Sequence, residues 1–321
     1  MTRPSSVPPP VTAVLDASSR WLPARLGEAE EVLREAVAGY GEALGADATA
    51  TLDAGGKRLR PMLVLLCAGP ERSGGAVRAA AAIELVHMAT LVHDDVLDAA
   101  PLRRGLPTVA ATSGRGRATA TGDLLFSRAF ALLAEAGEGR AVSLLADASV
   151  ALAQGELAQR RDAFDLGVSE ERYLARCRLK TGRLFECACL LGRDDEALRG
   201  FGAGIGLAFQ LLDDVLDVSG PPERTGKARG TDLLDGTVTL PLVEAAAADP
   251  GIREVDLHAL DGAAAEQLCD RIAATGALER VRARALEMVA EAKRSLERAD
   301  FEPEQRQLLS LVADGVVQRY S

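Results

Sequence analysis

Residues 83–100 read IELVHMATLVHDDVLDAA, an apolar run that closes on a group of aspartates. A second apolar run, GLAFQLLDDVLDV at 206–218, contains the same pentapeptide. DDVLD occupies 94–98 in the first run and 213–217 in the second. Apolar residues recur every three to four positions in both runs, and this period predicts a helix around each pentapeptide.

Six carboxylates on otherwise apolar helices need a chemical role. A partly buried carboxylate without a partner is costly, or a shifted pKa neutralises it. The first and last aspartates of each pentapeptide lie about one helical turn apart and share a face, which the middle aspartate flanks. Two such helices facing each other could share Mg²⁺, which proteins bind through one or two carboxylates together with phosphate oxygens of a substrate. The candidate metal ligands are Asp94, Asp95, Asp98, Asp213, Asp214 and Asp217.

The rest of the chain also predicts helices. It has 321 residues, of which 48% are hydrophobic, and this is enough to bury a large core. Segments rich in Ala, Leu, Glu and Arg alternate with glycine-containing turns, and no run shows the alternation typical of a strand. No break in composition marks a domain boundary. We therefore predict one all-α domain over residues 1–321, with 1–12 as a loose tail.

The composition argues against several classes of partner. A formal net charge of −10 makes non-specific nucleic-acid binding unfavourable. The five cysteines are odd in number, and Cys187-Ala-Cys189 lacks zinc-site spacing, which predicts reduced thiols in a cytoplasmic protein. The chain begins with a polar, proline-rich stretch that does not resemble a signal peptide. Uncharged stretches are too short to cross a bilayer, so we expect no stable membrane insertion.

Basic residues cluster near glycines at several places. GGKRLRP at 55–61 puts three cations ahead of an apolar helix, and its proline suits the first turn of that helix. The Walker spacing of a P-loop is missing. Shorter basic groups occur at Arg103-Arg104, Lys180 and Lys227. Arginine offers phosphate oxygens a bidentate contact and lysine a mobile charge, so these groups beside two acidic motifs predict a diphosphate site.

Histidine chemistry offers one rival interpretation. Two of the three histidines, His87 and His93, lie on the helix of the first pentapeptide. Glu84 precedes His87 by three positions, as in the motif of di-iron bundles. Such a site needs two copies of this motif, and His258 has no glutamate three positions before it. We therefore reject a di-iron site.

Taken in order, the motifs resemble the signature of the trans-isoprenyl diphosphate synthases, also called polyprenyl synthetases. The matching stretches lie between residues 55 and 241 and are GGKRLRP, IELVHMATLVHDDVLDAAPLRRGLPT, GDLLFSRAF, GELAQ, KTGRLF, GLAFQLLDDVLDV, TGKARGTDLLDG and TLP. The resemblance implies an all-α fold, a single large helical bundle around a deep central cavity. It also implies that the acidic motifs face each other at the mouth of that cavity and that the protein is a homodimer.

The resemblance implies roles for the matching residues. The six aspartates would hold Mg²⁺, three ions in each active site, against an allylic diphosphate. Contacts to that allylic diphosphate would come from Arg103, Lys180, Thr181, Gln210 and Lys227. Contacts to isopentenyl diphosphate would come from Lys57, Arg60, His87 and Arg104. One position departs from the family pattern: Thr237 follows Gly236 where a lysine is usual, so one cation beside the leaving diphosphate is missing or is supplied from elsewhere.

The implied reaction joins isopentenyl diphosphate head-to-tail (1′-4) to an allylic diphosphate and gives an all-trans polyprenyl diphosphate. Metal and cationic side chains would stabilise the charge that develops on the leaving diphosphate, while the product grows into an apolar tunnel. Ala89 and Thr90 lie roughly one turn before the first aspartates and are small. By resemblance to the family, a small pair at these positions implies products of twenty carbons or longer. Phe126 and Phe130, one turn apart on another helix, are candidates for a deeper floor of the tunnel.

Two alternatives stay open. A class I terpene cyclase also begins with an aspartate-rich helix, but its second metal motif normally starts with Asn or Asp and continues through Ser or Thr to Glu. This chain instead repeats DDVLD and contains no asparagine. A non-catalytic subunit of a heteromeric prenyl synthase would be expected to have lost its acidic motifs, whereas both are intact here.

Overall fold

The chain is almost entirely helical, which confirms the all-α prediction. The computed structural model describes residues 9–71, 74–220 and 229–318. In the first half of the chain the helices are α1 (Pro9–Ala17), α2 (Leu22–Val37), α3 (Gly41–Asp53), α4 (Leu59–Ala68), α5 (Gly74–Leu97), α6 (Val109–Ser113), α7 (Arg115–Glu135) and α8 (Gly139–Arg161). An antiparallel hairpin of two short strands, β1 (Leu102–Arg103) and β2 (Leu106–Pro107), lies between α5 and α6.

The second half is also built of helices. They are α9 (Glu170–Cys177), a π turn (Arg178–Gly182), α10 (Arg183–Gly192), α11 (Glu196–Ser219), α12 (Thr231–Leu234), α13 (Leu240–Ala248), α14 (Gly262–Ala274), α15 (Ala277–Leu296) and α16 (Pro303–Gln318). Two short 3₁₀ turns, Pro250–Ile252 and Leu257–Ala259, connect α13 to α14.

Local sequence explains several helix starts. Helix α1 begins at Pro9, inside the segment predicted as a loose tail, because proline suits the first turn, where its missing N–H is not needed. Residues 1–8 lie outside the described part of the chain. Ser169 caps α9, since its hydroxyl oxygen accepts a hydrogen bond from the N–H of Arg172 at 3.2 Å. Such caps satisfy backbone donors that the first turn leaves unpaired.

The chain folds into two compact units, which we describe separately. Unit 1 comprises residues 1–149, 187–199 and 299–312, and unit 2 comprises residues 150–186, 200–298 and 313–321. The prediction of one domain over the whole chain stays a prediction. The first acidic motif belongs to unit 1 and the second to unit 2.

Helix α5 is the central element of unit 1. It packs against α7, α4 and α2, and most of its side chains are buried. The run Ala79 to Ala82 and the larger Ile83 and Leu85 are almost entirely shielded from solvent. A helix that is apolar on nearly all sides belongs in a core. The first acidic motif therefore lies at the end of a rigidly packed helix.

Two helices of the described chain are long and apolar enough to cross a membrane, judged by length and composition alone. In α5, 72% of the apolar window is buried, as expected for a core helix. The corresponding window of α8 is only 28% buried. Val150 and Leu157 on α8 are 60% and 66% exposed, so this helix presents apolar side chains to solvent.

Candidate active site

The first acidic motif lies where α5 ends. Asp94 is half-buried and Asp95 is only 5% exposed, whereas Asp98 follows the last helical residue and is exposed. The N–H of Asp98 still donates to the carbonyl of Asp94 at 2.8 Å, so the two share one turn. Ala99 then adopts a left-handed φ of 50° and ends the helical path.

The hairpin after α5 folds back onto this motif. Arg103 pairs with Leu106, and the two residues between them, Arg104 and Gly105, have φ values of 54° and 77°. Two positive φ values in a two-residue loop are typical of a type I′ turn, which matches the twist of a hairpin. Nε of Arg103 consequently donates to Oδ1 of Asp95 at 2.7 Å. The buried middle carboxylate of the first motif therefore has a cationic partner.

The three cations of the GGKRLRP segment have different environments. Arg58 adopts a left-handed φ of 48° just before α4. Its guanidinium pairs with Glu30 on α2 and donates to Glu84 on α5 at 2.9 Å and to the carbonyl of Leu52 at 3.3 Å. Arg58 thus joins three helices of unit 1 and is engaged by protein groups. Glu84 is the glutamate of the rejected di-iron motif, and its pairing with Arg58 accounts for its burial.

A cavity of about 230 Å³ lies in unit 1 beside this segment. It brings together residues predicted for different roles, since its lining includes His87, Asp95, Arg103 and Arg104. The guanidinium of Arg104 also lies against Gly56, where an added Cβ would be 3.2 Å from its Nη1. Cationic and acidic candidates therefore border one space.

The other two predicted isopentenyl diphosphate contacts differ in exposure. Lys57 is exposed, while Arg60 is half-buried at the start of α4. Burial lowers the pKa of Arg60 to about 10, against the opposing attraction of Glu84. Arg60 consequently keeps its positive charge at neutral pH.

His87 is held in the neutral form. Burial lowers its pKa well below the ordinary histidine value, and the positive charges of Arg60 and Arg104 lower it further. A neutral imidazole carries one donor and one acceptor nitrogen. At neutral pH His87 can therefore offer an anion a hydrogen bond but not a charge.

The predicted tunnel residues of α5 are both buried. Ala89 is completely shielded, and Thr90 is nearly so. The hydroxyl of Thr90 donates to the carbonyl of His87 at 2.8 Å, which leaves its methyl group as the apolar part of the side chain. Both positions are compatible with an apolar wall.

The predicted floor residues lie on α7. Phe126 and Phe130 are half-buried, so neither is a fully enclosed core side chain. Phe126 stacks on His93 with ring centroids 5.8 Å apart. His93 in turn lies against Gly122, where an added Cβ would be 2.2 Å from its Nε2. The glycine of GDLLFSRAF therefore allows α7 to approach the residue that precedes the first aspartate.

The second acidic motif lies on α11 of unit 2. Asp213 is exposed, Asp217 is half-buried and Asp214 is only 4% exposed. In both motifs the middle aspartate is therefore the buried one, and the outer aspartates are more open to solvent. This common pattern could not be read from the two identical pentapeptides.

Asp214 accepts hydrogen bonds on both carboxylate oxygens. The hydroxyl of Tyr173 donates to Oδ2, and Nε2 of Gln210 donates to Oδ1 at 2.8 Å. Oε1 of Gln210 accepts from the hydroxyl of Thr181 at 2.7 Å. These bonds connect two predicted allylic diphosphate contacts to the second acidic motif. Nothing in the local sequence singles out Tyr173, which lies 41 positions before Asp214.

Carboxylates crowd around Asp214. Burial and the negative charges of Asp232 and Asp213 raise its pKa to about 7, although its two hydrogen-bond donors act in the opposite direction. Oδ2 of Asp217 accepts the N–H of Asp232 at 3.2 Å, so the start of α12 lies against the motif. Such a concentration of negative charge favours a bound cation.

The donor set fits Mg²⁺. Among the residues that the structure describes, no three His, Cys, Asp or Glu side chains form a ready-made metal cluster. Magnesium does not need one, because it binds one or two carboxylates and completes its shell with water and substrate phosphates. The outer aspartates offer hard oxygen donors at half-buried or exposed positions, and they are Asp94, Asp98, Asp213 and Asp217.

Lys180 and Thr181 lie in the π turn between α9 and α10. Nζ of Lys180 lies 2.5 Å from Oε2 of Glu156, in the GELAQ stretch of α8. Gly155 permits this approach, since an added Cβ would be 2.5 Å from the backbone nitrogen of Lys180. Inserted π turns often mark functional sites, and here the turn carries two candidate residues.

Two predicted positions remain near α12. Lys227 lies outside the described residues. The N–H of Thr237, which stands where the family pattern has lysine, donates to the carbonyl of Asp232 at 2.8 Å. Gly236 before it has a φ of 70° and lies against the ring of Phe164, where an added Cβ would be 2.4 Å away. The backbone of this segment is therefore fixed by contacts within unit 2.

We expect His87 to make the fold sensitive to mild acid. Its folded-state pKa is lowered, so its contribution to stability is fully present above pH 6.5 and is lost as pH falls, because the unfolded chain then binds a proton that the folded state resists. The loss between pH 7.5 and pH 5.5 should be on the order of 1 kcal/mol. Urea unfolding of the wild type and of His87→Gln at pH 7.5 and 5.5 measures it. An equal loss in both proteins would contradict this assignment.

Comparison with known proteins identifies the family of the chain. Residues 42–274 match the polyprenyl synthetase family model. A heptaprenyl diphosphate synthase component 2 from Geobacillus stearothermophilus is 42% identical over 241 residues, which are 72% of this chain and 75% of that protein. An octaprenyl diphosphate synthase from Escherichia coli is 39% identical over 201 residues, or 60% of this chain and 62% of its own length.

Solved structures share the complete fold. A polyprenyl synthase from Caulobacter crescentus, complexed with calcium and isoprenyl diphosphate, superposes with a TM-score of 0.90 at 32% identity, over 99% of this chain and 100% of the other. A decaprenyl diphosphate synthase from Rhodobacter capsulatus gives 0.87 at 32% identity, over 97% and 99%. The resemblance seen in the motifs is confirmed. The chain belongs to the polyprenyl synthetase family of trans-isoprenyl diphosphate synthases and is a prenyltransferase.

Proposed function

We propose that this prenyltransferase joins isopentenyl diphosphate head-to-tail (1′-4) to an allylic diphosphate and releases an all-trans polyprenyl diphosphate of twenty carbons or longer. The observation that carries the proposal is the cavity of unit 1. There His87, Arg103 and Arg104 border the same space as Asp95 of the first acidic motif. An anion held by these groups would lie next to a carboxylate cluster suited to a divalent cation.

Two diphosphates need two sets of contacts. For isopentenyl diphosphate we propose Lys57, Arg60, His87 and Arg104, three of which carry positive charge. For the allylic diphosphate we propose Arg103, Lys180, Thr181, Gln210 and Lys227. Arginine and lysine stabilise the charge that develops on the leaving oxygens. Holding both substrates in register removes an entropic barrier of up to ~7–11 kcal/mol.

For the metal we propose different roles for the outer and the middle aspartates of each acidic motif. The outer aspartates, which are the more exposed, would bind Mg²⁺, while the buried Asp95 and Asp214 would orient the helix ends through their hydrogen bonds. When bound, Mg²⁺ supplies Lewis-acid stabilisation to the departing diphosphate. The calcium and isoprenyl diphosphate of the Caulobacter crescentus structure support a divalent cation in this kind of site.

The purified protein should incorporate labelled isopentenyl diphosphate into longer prenyl chains when Mg²⁺ and an allylic primer are present. Each primer is tested in turn, and product length is read by chromatography after removal of the diphosphate. Excess chelator should abolish incorporation, and added Mg²⁺ should restore it. Hydrocarbon released from an allylic diphosphate alone would instead identify a terpene cyclase. A lack of activity without a second protein would identify a subunit of a heteromeric synthase.

Ala89→Phe should shorten the main product. A phenyl ring on the buried face of α5, one turn before the first aspartates, would stop the chain within about one isoprene unit of that level. Thin-layer chromatography of the dephosphorylated products measures the change. Ala134→Phe, at an exposed position of α7, is the matched control and should leave the product pattern as it is. An unchanged pattern with Ala89→Phe would exclude this wall as part of the tunnel.

We also propose a homodimer that covers the exposed apolar side chains of α8. Leu157→Glu should convert the dimer to a monomer of 33.6 kDa, because burial of a carboxylate in an interface is unfavourable. Light scattering after gel filtration measures the mass. Leu286→Glu, another exposed leucine, on α15, serves as control. A wild-type protein that is monomeric by itself would contradict the homodimer and favour a heteromer, as the name component 2 indicates for one relative.

A further inference from the structure

We propose that Tyr173 is a positioning residue for the second acidic motif: its hydroxyl fixes the carboxylate of Asp214 and thereby the geometry of the neighbouring metal-binding aspartates. The inference rests on the proposed role of Asp213 and Asp217 as metal ligands. Tyr173 itself touches neither substrate nor metal in this proposal.

The hydrogen-bond pattern shows how Asp214 is fixed. Tyr173 donates to one carboxylate oxygen from α9, and Gln210 donates to the other from one turn earlier on α11. Donors on both oxygens prevent rotation of the carboxylate, and Asp214 has almost no contact with solvent that could replace them. Each carboxylate oxygen keeps a second lone pair, so bound water molecules or a cation shell can still be oriented by it.

Tyr173 is itself held by a buried ion pair. The guanidinium carbon of Arg176 lies 5.1 Å from the centroid of the tyrosine ring. Nη1 of Arg176 donates to Asp162 at 3.1 Å, and Nη2 donates to the carbonyl of Val238. Arg176 and Asp162 are both buried, so their positions are closely defined. A functional group is held precisely when the residues around it are packed and hydrogen-bonded in this way.

The same contacts reach the segment that carries Thr237. Val238 is the next residue, and its carbonyl is the acceptor for Arg176. Phe164, which adopts a left-handed φ of 63°, donates its N–H to the carbonyl of Gly236 at 2.8 Å and stacks on His258. Tyr173 therefore belongs to a network of contacts that also positions the backbone of Gly236 and Val238, just after α12. These contacts distinguish Tyr173 from a tyrosine that only fills space in the core.

A purely structural tyrosine would make a different prediction. A buried hydroxyl needs a hydrogen-bond partner wherever it lies, so its removal could affect stability alone. A positioning tyrosine would instead change how the protein binds a divalent cation. The affinity for metal therefore distinguishes the two roles, and it can be measured without turnover.

Tyr173→Phe removes one oxygen and retains the ring. We expect it to weaken the binding of Mn²⁺ in the presence of inorganic pyrophosphate by about 10-fold, the lower range for loss of a group that orients a metal ligand. Titration calorimetry or the electron paramagnetic resonance signal of free Mn²⁺ measures this affinity. The Mg²⁺ concentration for half-maximal activity should rise in parallel, while KM for isopentenyl diphosphate stays unchanged. Tyr40→Phe, at an exposed tyrosine of unit 1, is the matched control.

Asp214→Asn, alone and combined with Tyr173→Phe, completes the experiment. If Tyr173 acts through Asp214, the double variant should bind Mn²⁺ no more weakly than Asp214→Asn does. Tyr173→Phe with a lowered Tm and unchanged Mn²⁺ affinity, beside an Asp214→Asn that binds weakly, would overturn the positioning role and leave the proposed function standing. Unchanged affinity in both single variants would overturn the inference that Asp214 positions the metal-binding aspartates, and would leave the proposed metal role of Asp213 and Asp217 in place.

Discussion

Burial of negative charge is the constraint around which both acidic motifs are organised. A carboxylate removed from water must gain a cation or several hydrogen bonds, or lose its charge. Asp95 gains Arg103, and Asp214 gains Tyr173 and Gln210. The buried aspartate of the same pentapeptide is thus stabilised in two different ways. Asp95 forms an ion pair, and Asp214 accepts hydrogen bonds from neutral donors. Burial and the neighbouring carboxylates raise the pKa of Asp214 to about 7, so its neutral donors offset only part of their effect.

The contacts of the two buried aspartates connect each acidic motif to the rest of its unit. Arg103 reaches Asp95 only because a two-residue turn returns the chain to the end of α5. Tyr173 reaches Asp214 from α9, and a buried arginine fixes its ring. In each unit the middle aspartate is therefore a structural anchor. The outer aspartates lie at the more exposed positions.

Periodicity and motif order predicted much of this arrangement. The helices around DDVLD follow from apolar spacing. Arg103 lies five positions after Asp98, a separation that a short loop can fold back onto the first motif. The pairing of Arg58 with Glu30 and Glu84 does not follow, because 28 and 26 positions separate these residues and no local pattern links them. The three cations of the GGKRLRP segment look equivalent in the sequence, yet one of them, Arg58, holds helices together. Tyr173 is missed for the same reason, since its partner lies on a different helix.

The π turn at Arg178–Gly182 has a consequence for the alignment of α9 and α10. Because a π turn holds more residues per revolution than an α-helix, it slows the angular advance of the chain. Tyr173 before it and Thr181 within it consequently meet the same stretch of α11, one through Asp214 and the other through Gln210. Deletion of one residue from the π turn would restore regular α-helical geometry and rotate Thr181 toward a different neighbour. The π turn thus sets the rotation of the chain after α9, so that both Tyr173 and Thr181 contact α11.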